Sequence, residues 1–203
     1  VHTNAQAELD DILNTQPLDE AAARSLICKL AQEQYDAIGN EEYETERLRR
    51  LFPGDGIIGE ENDDGSAITC QTPDPDGRVW VIDPIDGTTN FVHGLPYFAI
   101  SVAWMREGRT ELGVIYNPVA DEMFYAQRGH GAYLNGVALP LTGSPATLTE
   151  TIAAVDIKYL RSGRLSSRLL STSPFGSLRN LGSSTLDWCH VAAGRYDLYL
   201  HGG

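Results

Sequence analysis

The stretch Trp80 to Phe91, WVIDPIDGTTNF, decides how this chain is read. Its apolar start, Val79 to Ile82, predicts a strand that ends at Asp83. Pro84 cannot donate a ladder hydrogen bond, so the backbone is expected to leave the sheet there. The following turn would carry Asp86 back towards Asp83. Two carboxylates held close together repel, and the repulsion is relieved by a shared proton or by a bound cation. Oxygen ligands of this kind suit Mg²⁺, Mn²⁺ or Ca²⁺. Gly87 allows close backbone approach, and the amides from Gly87 to Thr89 could form an anion-binding nest. The plainer alternative is that D-x-x-D-G after a strand is only a polar turn.

The chain has 203 residues, 42% hydrophobic and 21% charged, which fits one or two globular domains rather than a disordered segment. A formal net charge of −13 argues against generic binding to nucleic acid or to an anionic membrane, since both require a basic surface. If the turn holds an anion, so acidic a protein needs cations of its own, and bound Mg²⁺ would supply them. Cys28, Cys70 and Cys189 have no metal-ligand spacing and read as thiols in a reducing cytosol. His2, His93, His130, His190 and His201 show no zinc-like pairing. No apolar run is long enough for a membrane span and the first residues are not signal-like, so the expected location is cytoplasmic.

Residues 1–18 read as an N-terminal arm, and 19–203 as a single domain. Asp19 is a candidate N-cap for a helix through Ala37, and a second helix is expected from Asn40 to just before Pro53. Ile57 and Ile58 predict a short strand delivering Glu60 and Glu61, followed by a surface excursion to Gly77. From Phe98 to Leu139 the pattern is an antiparallel meander: strands at Phe98 to Arg106, Thr110 to Tyr116 and Glu122 to Gln127, then a hairpin turning on Asn135 and Gly136. A strand at Ile152 to Val155 and helices after Arg161 and Ser183 complete the expected elements. Together they predict an α/β layered sandwich around a mainly antiparallel sheet.

WVIDPIDGTTNF resembles the first signature of the inositol monophosphatase family, and IIGEEN, Ile57 to Asn62, resembles that family's glutamate motif at the expected distance. The likeness continues through NPVADEMFYAQRGHGAYLNG and LGSSTLDWCHVAAGRYDLY. It implies a Mg²⁺-dependent, lithium-sensitive phosphatase with an αβαβα fold like that of fructose-1,6-bisphosphatase, commonly a homodimer. It also implies two or three Mg²⁺ held by Glu60, Asp83, Asp86 and the carbonyl of Ile85, with Mn²⁺ or Ca²⁺ able to take the same site. Thr88 and Glu60 would position the attacking water. Asp86, the amides of Gly87 and Thr88, and the segment Gly182, Ser183 and Ser184 would face the substrate. For the two serines, helix capping is an equal alternative. Glu61 is read as holding the loop, and Asn90 as capping or bonding the turn.

This sequence departs from the family pattern at three places. A W-D-x-A-A-G motif carrying a third metal aspartate would follow the strand Tyr196 to Leu200, and Gly203 comes first, so the C-terminal part of that fold is expected to be absent. No D-x-V-T-x-x-D segment is present, and Asp36 lies one residue out of register with it. Leu200 stands nearest the position where inositol-selective members place a glutamate, which argues against inositol specificity. The leading expectation is thus a phosphomonoesterase acting on a small phosphorylated polyol, sugar or nucleotide. The alternatives are a 3′(2′),5′-bisphosphate nucleotidase or fructose-1,6-bisphosphatase, and, of another class, a catalytically weak regulator that binds a protein partner.

Overall fold

The computed structural model describes residues 54–59, 77–139, 147–156 and 173–201. Gly56–Gly59 (β1) lies parallel to Arg78–Asp86 (β2), with Gly59 opposite Ile82. Beyond β2 the chain folds as the expected meander: Ala99–Arg106 (β3), Arg109–Asn117 (β4), Glu122–Gln127 (β5), Gly131–Leu134 (β6) and Val137–Ala138 (β7). The order in the sheet is β1-β2-β3-β4-β5-β6-β7, and every pairing after β1–β2 is antiparallel. This is the mainly antiparallel sheet that the sequence predicts.

The hairpins close for a local reason. Glu107 and Gly108, and again Asn135 and Gly136, all have positive φ, between 48° and 81°. Two successive left-handed residues match the twist of the flanking strands, and asparagine with glycine adopts them at little cost. Asn135 adds side-chain bonds: its Oδ1 accepts from the Met123 amide at 2.8 Å, and its Nδ2 donates to the Asp121 carbonyl at 3.0 Å.

Strand β2 is longer than its sequence implies. The expected exit at Pro84 does not occur; pairing with β3 continues to Asp86, opposite Ala99, across a register irregularity between Asp83 and Asp86. Proline lacks only the donor, and an irregular step leaves a position where no donor is required. The two aspartates therefore flank a bulge within a strand, and Gly87 begins the turn.

Alternation along these strands separates two faces. Trp80, Trp104 and Leu112 form one buried row, and Ile82, Val102, Val114 and Tyr125 form the next. Asp55 is buried beneath the tryptophans: it accepts from Trp80 Nε1 at 3.0 Å and Trp104 Nε1 at 3.4 Å and pairs with Arg78 Nε at 3.1 Å. Asp83 belongs to the opposite face, in the row Asp83, Ser101, Ile115 and Phe124. Helix Ser184–Ala192 (α2; the short helix Thr88–Val92 is α1) packs there, with His190 meeting the edge of Phe124 at 6.3 Å.

A second sheet was not foreseen. Ile152–Val155 (β8) lies between Ser177–Arg179 (β9) and Leu198–Leu200 (β10), parallel to both. All three carboxyl ends thus share one edge, and the chain leaving β9 passes through Leu181 and Gly182 into α2. The strand expected at Ile152 to Val155 and the helix after Ser183 are both present. The arm at 1–18, the helices expected before Pro53 and the helix after Arg161 lie outside the described residues.

Candidate active site

Two turns meet here, the one after β2 and the one before α2. Asp83 Oδ1 accepts from the Ile85 amide at 3.1 Å, an Asx turn that fixes the aspartate over the bulge. The Thr88 hydroxyl donates to the Ile85 carbonyl at 3.0 Å. Gly87 has φ 99°, and a Cβ there would lie 3.1 Å from the Tyr97 carbonyl and 3.3 Å from the Gly182 carbonyl. A larger residue would be strained in backbone and would push the two turns apart.

Asp86 is held from across the gap. Its Oδ2 accepts the Ser183 hydroxyl at 2.6 Å, the Thr185 hydroxyl at 2.6 Å and the Thr185 amide at 2.7 Å. Among the described residues its Oδ1 receives only the Ser184 hydroxyl, at 3.3 Å. A carboxylate at the amino end of a helix also gains from the helix dipole. Ser183 is fully buried and is the N-cap of α2, accepting the Leu186 amide at 3.4 Å, so capping and Asp86 share its hydroxyl.

Asn90 ties the turns together. Its Nδ2 donates to the Tyr97 carbonyl and to the Leu181 carbonyl, each at 2.7 Å. The turn is thus bonded both within itself and to the segment before α2. One turn into α2, buried Asp187 accepts the Tyr97 hydroxyl at 2.9 Å. Burial pushes the Asp187 carboxyl up to about 6; the Tyr97 bond opposes the rise, and the negative charges of Asp86 and Asp156 add to it. Burial also raises the Tyr97 phenol, and it pushes the Cys189 thiol up to about 12, which leaves no thiolate nucleophile at neutral pH.

The structure therefore brings Asp83, Ile85 and Asp86 at the end of β2 together with Gly87 and Thr88 of the turn after it, and sets Gly182, Ser183 and Ser184 against them. Glu60 and Glu61 lie outside the described residues; Gly59, the residue before them, stands opposite Ile82, the residue before Asp83. Among the described residues no three histidines, cysteines or acids form a metal-sized group. Sequence reasoning missed Tyr97, Thr185 and Asp187. The run Ser183-Ser184-Thr185 was a usable signal, since one hydroxyl suffices for a cap and two are left over.

The profile of the inositol monophosphatase family matches residues 31–203. The chain belongs to that family. A relative called Nus factor SuhB, from Pasteurella multocida, is 38% identical over 170 residues, 81% of this chain and 60% of its own length. An inositol-1-monophosphatase from Rhizobium meliloti is 37% identical over 157 residues, 75% of this chain and 56% of its own length. The chain thus spans less than two thirds of either relative. Among solved structures, inositol monophosphatase II of Staphylococcus aureus bound to inositol monophosphate superimposes with a TM-score of 0.72 at 28% identity, covering 87% of this chain and 70% of that one. The same enzyme bound to 2′AMP gives 0.71 at 27% identity, again over 87% and 70%. The match to the family spans the whole β2 turn.

Proposed function

We propose that this inositol monophosphatase family protein is a Mg²⁺-dependent phosphomonoesterase acting on small phosphorylated polyols, sugars or nucleotides. The observation that carries the reading is the end of β2 and its turn, which bring Asp83, the Ile85 carbonyl and Asp86 within four residues, all of them oxygen ligands, each fixed by a hydrogen bond. That donor set suits a hard divalent cation such as Mg²⁺. With Glu60 they would hold two or three Mg²⁺, sites that Mn²⁺ or Ca²⁺ could also enter. When bound, the ions supply Lewis acidity to the phosphate ester and to the attacking water.

The protein's own groups do the positioning. The Thr88 hydroxyl spends its proton on the Ile85 carbonyl and so presents lone pairs, which orients a water by accepting its hydrogen. Glu60 would be the second acceptor for that water, as the family resemblance implies. The amides of Gly87 and Thr88 face the phosphate, and the turn Gly182 to Ser184 closes the opposite side. The alcohol part of the substrate lies over the carboxyl edge of the parallel sheet, as ligands of such sheets do. Leu200 ends β10 at that edge, but the next residue, His201, pairs with Asp156 at 3.6 Å, so the edge is polar as well as apolar.

Mixed chemistry at this edge supports a promiscuous enzyme over an inositol-specific one, in keeping with the staphylococcal relative's structures with inositol monophosphate and with 2′AMP. The test ranks kcat/KM for inositol 1-phosphate, glycerol 2-phosphate, fructose 1,6-bisphosphate, 2′-AMP and adenosine 3′,5′-bisphosphate at millimolar Mg²⁺. Several substrates should fall within about 100-fold, the order of discrimination that a pocket provides by shape without a dedicated charged acceptor. Thr88→Ala should lower turnover by about 10² or more, as loss of one positioned group does, with metal affinity retained. No Mg²⁺-dependent hydrolysis of any of the five would favour a second reading, a regulator that binds a protein partner, to which the relative's name Nus factor lends support.

A further inference from the structure

We infer that Thr185 is a positioning residue for the cation site: with Ser183 it locks one oxygen of Asp86 against α2 and leaves the other, Oδ1, to the metal. The inference rests on the metal-dependent reading above and adds to it a group outside the β2 turn.

The two oxygens of Asp86 are treated unequally. Oδ2 takes hydroxyl donors from Ser183 and Thr185 at 2.6 Å and an amide from Thr185 at 2.7 Å. A carboxylate oxygen has about two strong acceptor directions, so three short bonds exhaust it. Among the described residues Oδ1 has one long bond, from Ser184 at 3.3 Å, and keeps accepting capacity. The carboxylate cannot rotate about its Cβ–Cγ bond without breaking all three short bonds.

Thr185 is suited to this by position. As the second residue of α2, its amide has no partner within the helix, and the side-chain hydroxyl reaches the same acceptor. Both donors come from one residue whose backbone is fixed by the Ser183 cap and by the Asp187–Tyr97 bond further along the helix. Helix α2 thereby sets the orientation of a ligand that belongs to β2, the arrangement by which outer groups tune metal ligands generally. Ser183 cannot report on this alone, because its removal also uncaps the helix.

The experiment measures Mn²⁺ and Mg²⁺ binding by calorimetry, and metal-free melting temperature, for the wild type, Thr185→Val and Thr185→Ser. Thr185→Val keeps the amide and the shape and deletes one short bond to Oδ2. It should weaken cation affinity by about tenfold or more, the usual effect of losing an outer-shell partner. Thr185→Ser should restore it to within about threefold, since it returns the hydroxyl. A merely structural role would move the metal-free melting temperature and leave affinity alone. Wild-type affinity in Thr185→Val would overturn this inference while leaving the metal-dependent reading standing. No calorimetric or melting response of the wild type to either cation would overturn both.

Discussion

Asp187 is a carboxylate that the fold stabilises poorly in its charged form, and the consequence can be read as pH dependence. Its pKa is about 6 in the folded protein against 3.8 when unperturbed, with burial as the main cause. Below about pH 4 it is protonated in both states and costs nothing. Between that and about pH 6 the unfolded chain has released a proton the folded one retains, so stability falls as pH rises. Above pH 6 the full penalty stands, on the order of 2 kcal/mol. Asp187→Asn keeps an oxygen that can accept the Tyr97 hydroxyl and has no charge to lose. The unfolding free energy of the mutant relative to wild type, taken from urea denaturation, should therefore rise by roughly that amount between pH 4 and pH 7.5. A difference that stays constant over this range would mean that the Asp187 environment does not penalise the charge. Nothing in the sequence marked this residue, because an aspartate in the first turn of a helix usually faces water and complements the dipole.

At the scale of elements, what the sequence disclosed and what it hid divide along local and non-local physics. The meander was legible because alternation and Asn135-Gly136 are local signals, as was α2, whose start is marked by Ser183. The exit at Pro84 was misjudged because proline's missing donor was weighed without the bulge that makes it harmless, and bulges depend on the partner strand. The parallel sheet of β8, β9 and β10 was hidden because strands of three or four residues give little period, and their pairing joins segments far apart in sequence. Of the site, the β2 turn could be read directly, whereas its contacts with Leu181, Thr185 and Asp187 span 90 residues or more. Asn90 is where the two kinds of information meet. Asn90→Ala removes both donations and leaves two carbonyls short of a partner, and it should cost about 2 to 4 kcal/mol. Asn90→Asp, although isosteric, cannot donate to either carbonyl and should cost at least as much. If chemical denaturation finds either variant as stable as wild type, Asn90 does not hold the two turns together.

For the whole molecule, the governing quantity is charge. A formal net charge of −13 on 203 residues means that any cation, bound or diffuse, relieves self-repulsion, so stabilisation by Mg²⁺ is not in itself proof of a site. Diffuse screening depends on ionic strength and is shared by all charges, whereas a site saturates and depends on its own ligands. The separating comparison is MgCl₂ against NaCl at matched ionic strength, in the wild type and in Asp83→Asn. That substitution keeps an oxygen able to accept the Ile85 amide, so the turn is preserved while one ligand charge is removed. For the wild type, MgCl₂ should add stability beyond the NaCl control as RT ln(1 + [L]/Kd), about 2.7 kcal/mol at a concentration 100 times Kd. Asp83→Asn should respond to NaCl as the wild type does and lose most of the additional gain. Equal melting temperatures in the two salts for the unmutated protein would reduce the acidic turn to one more contributor to a repulsive surface.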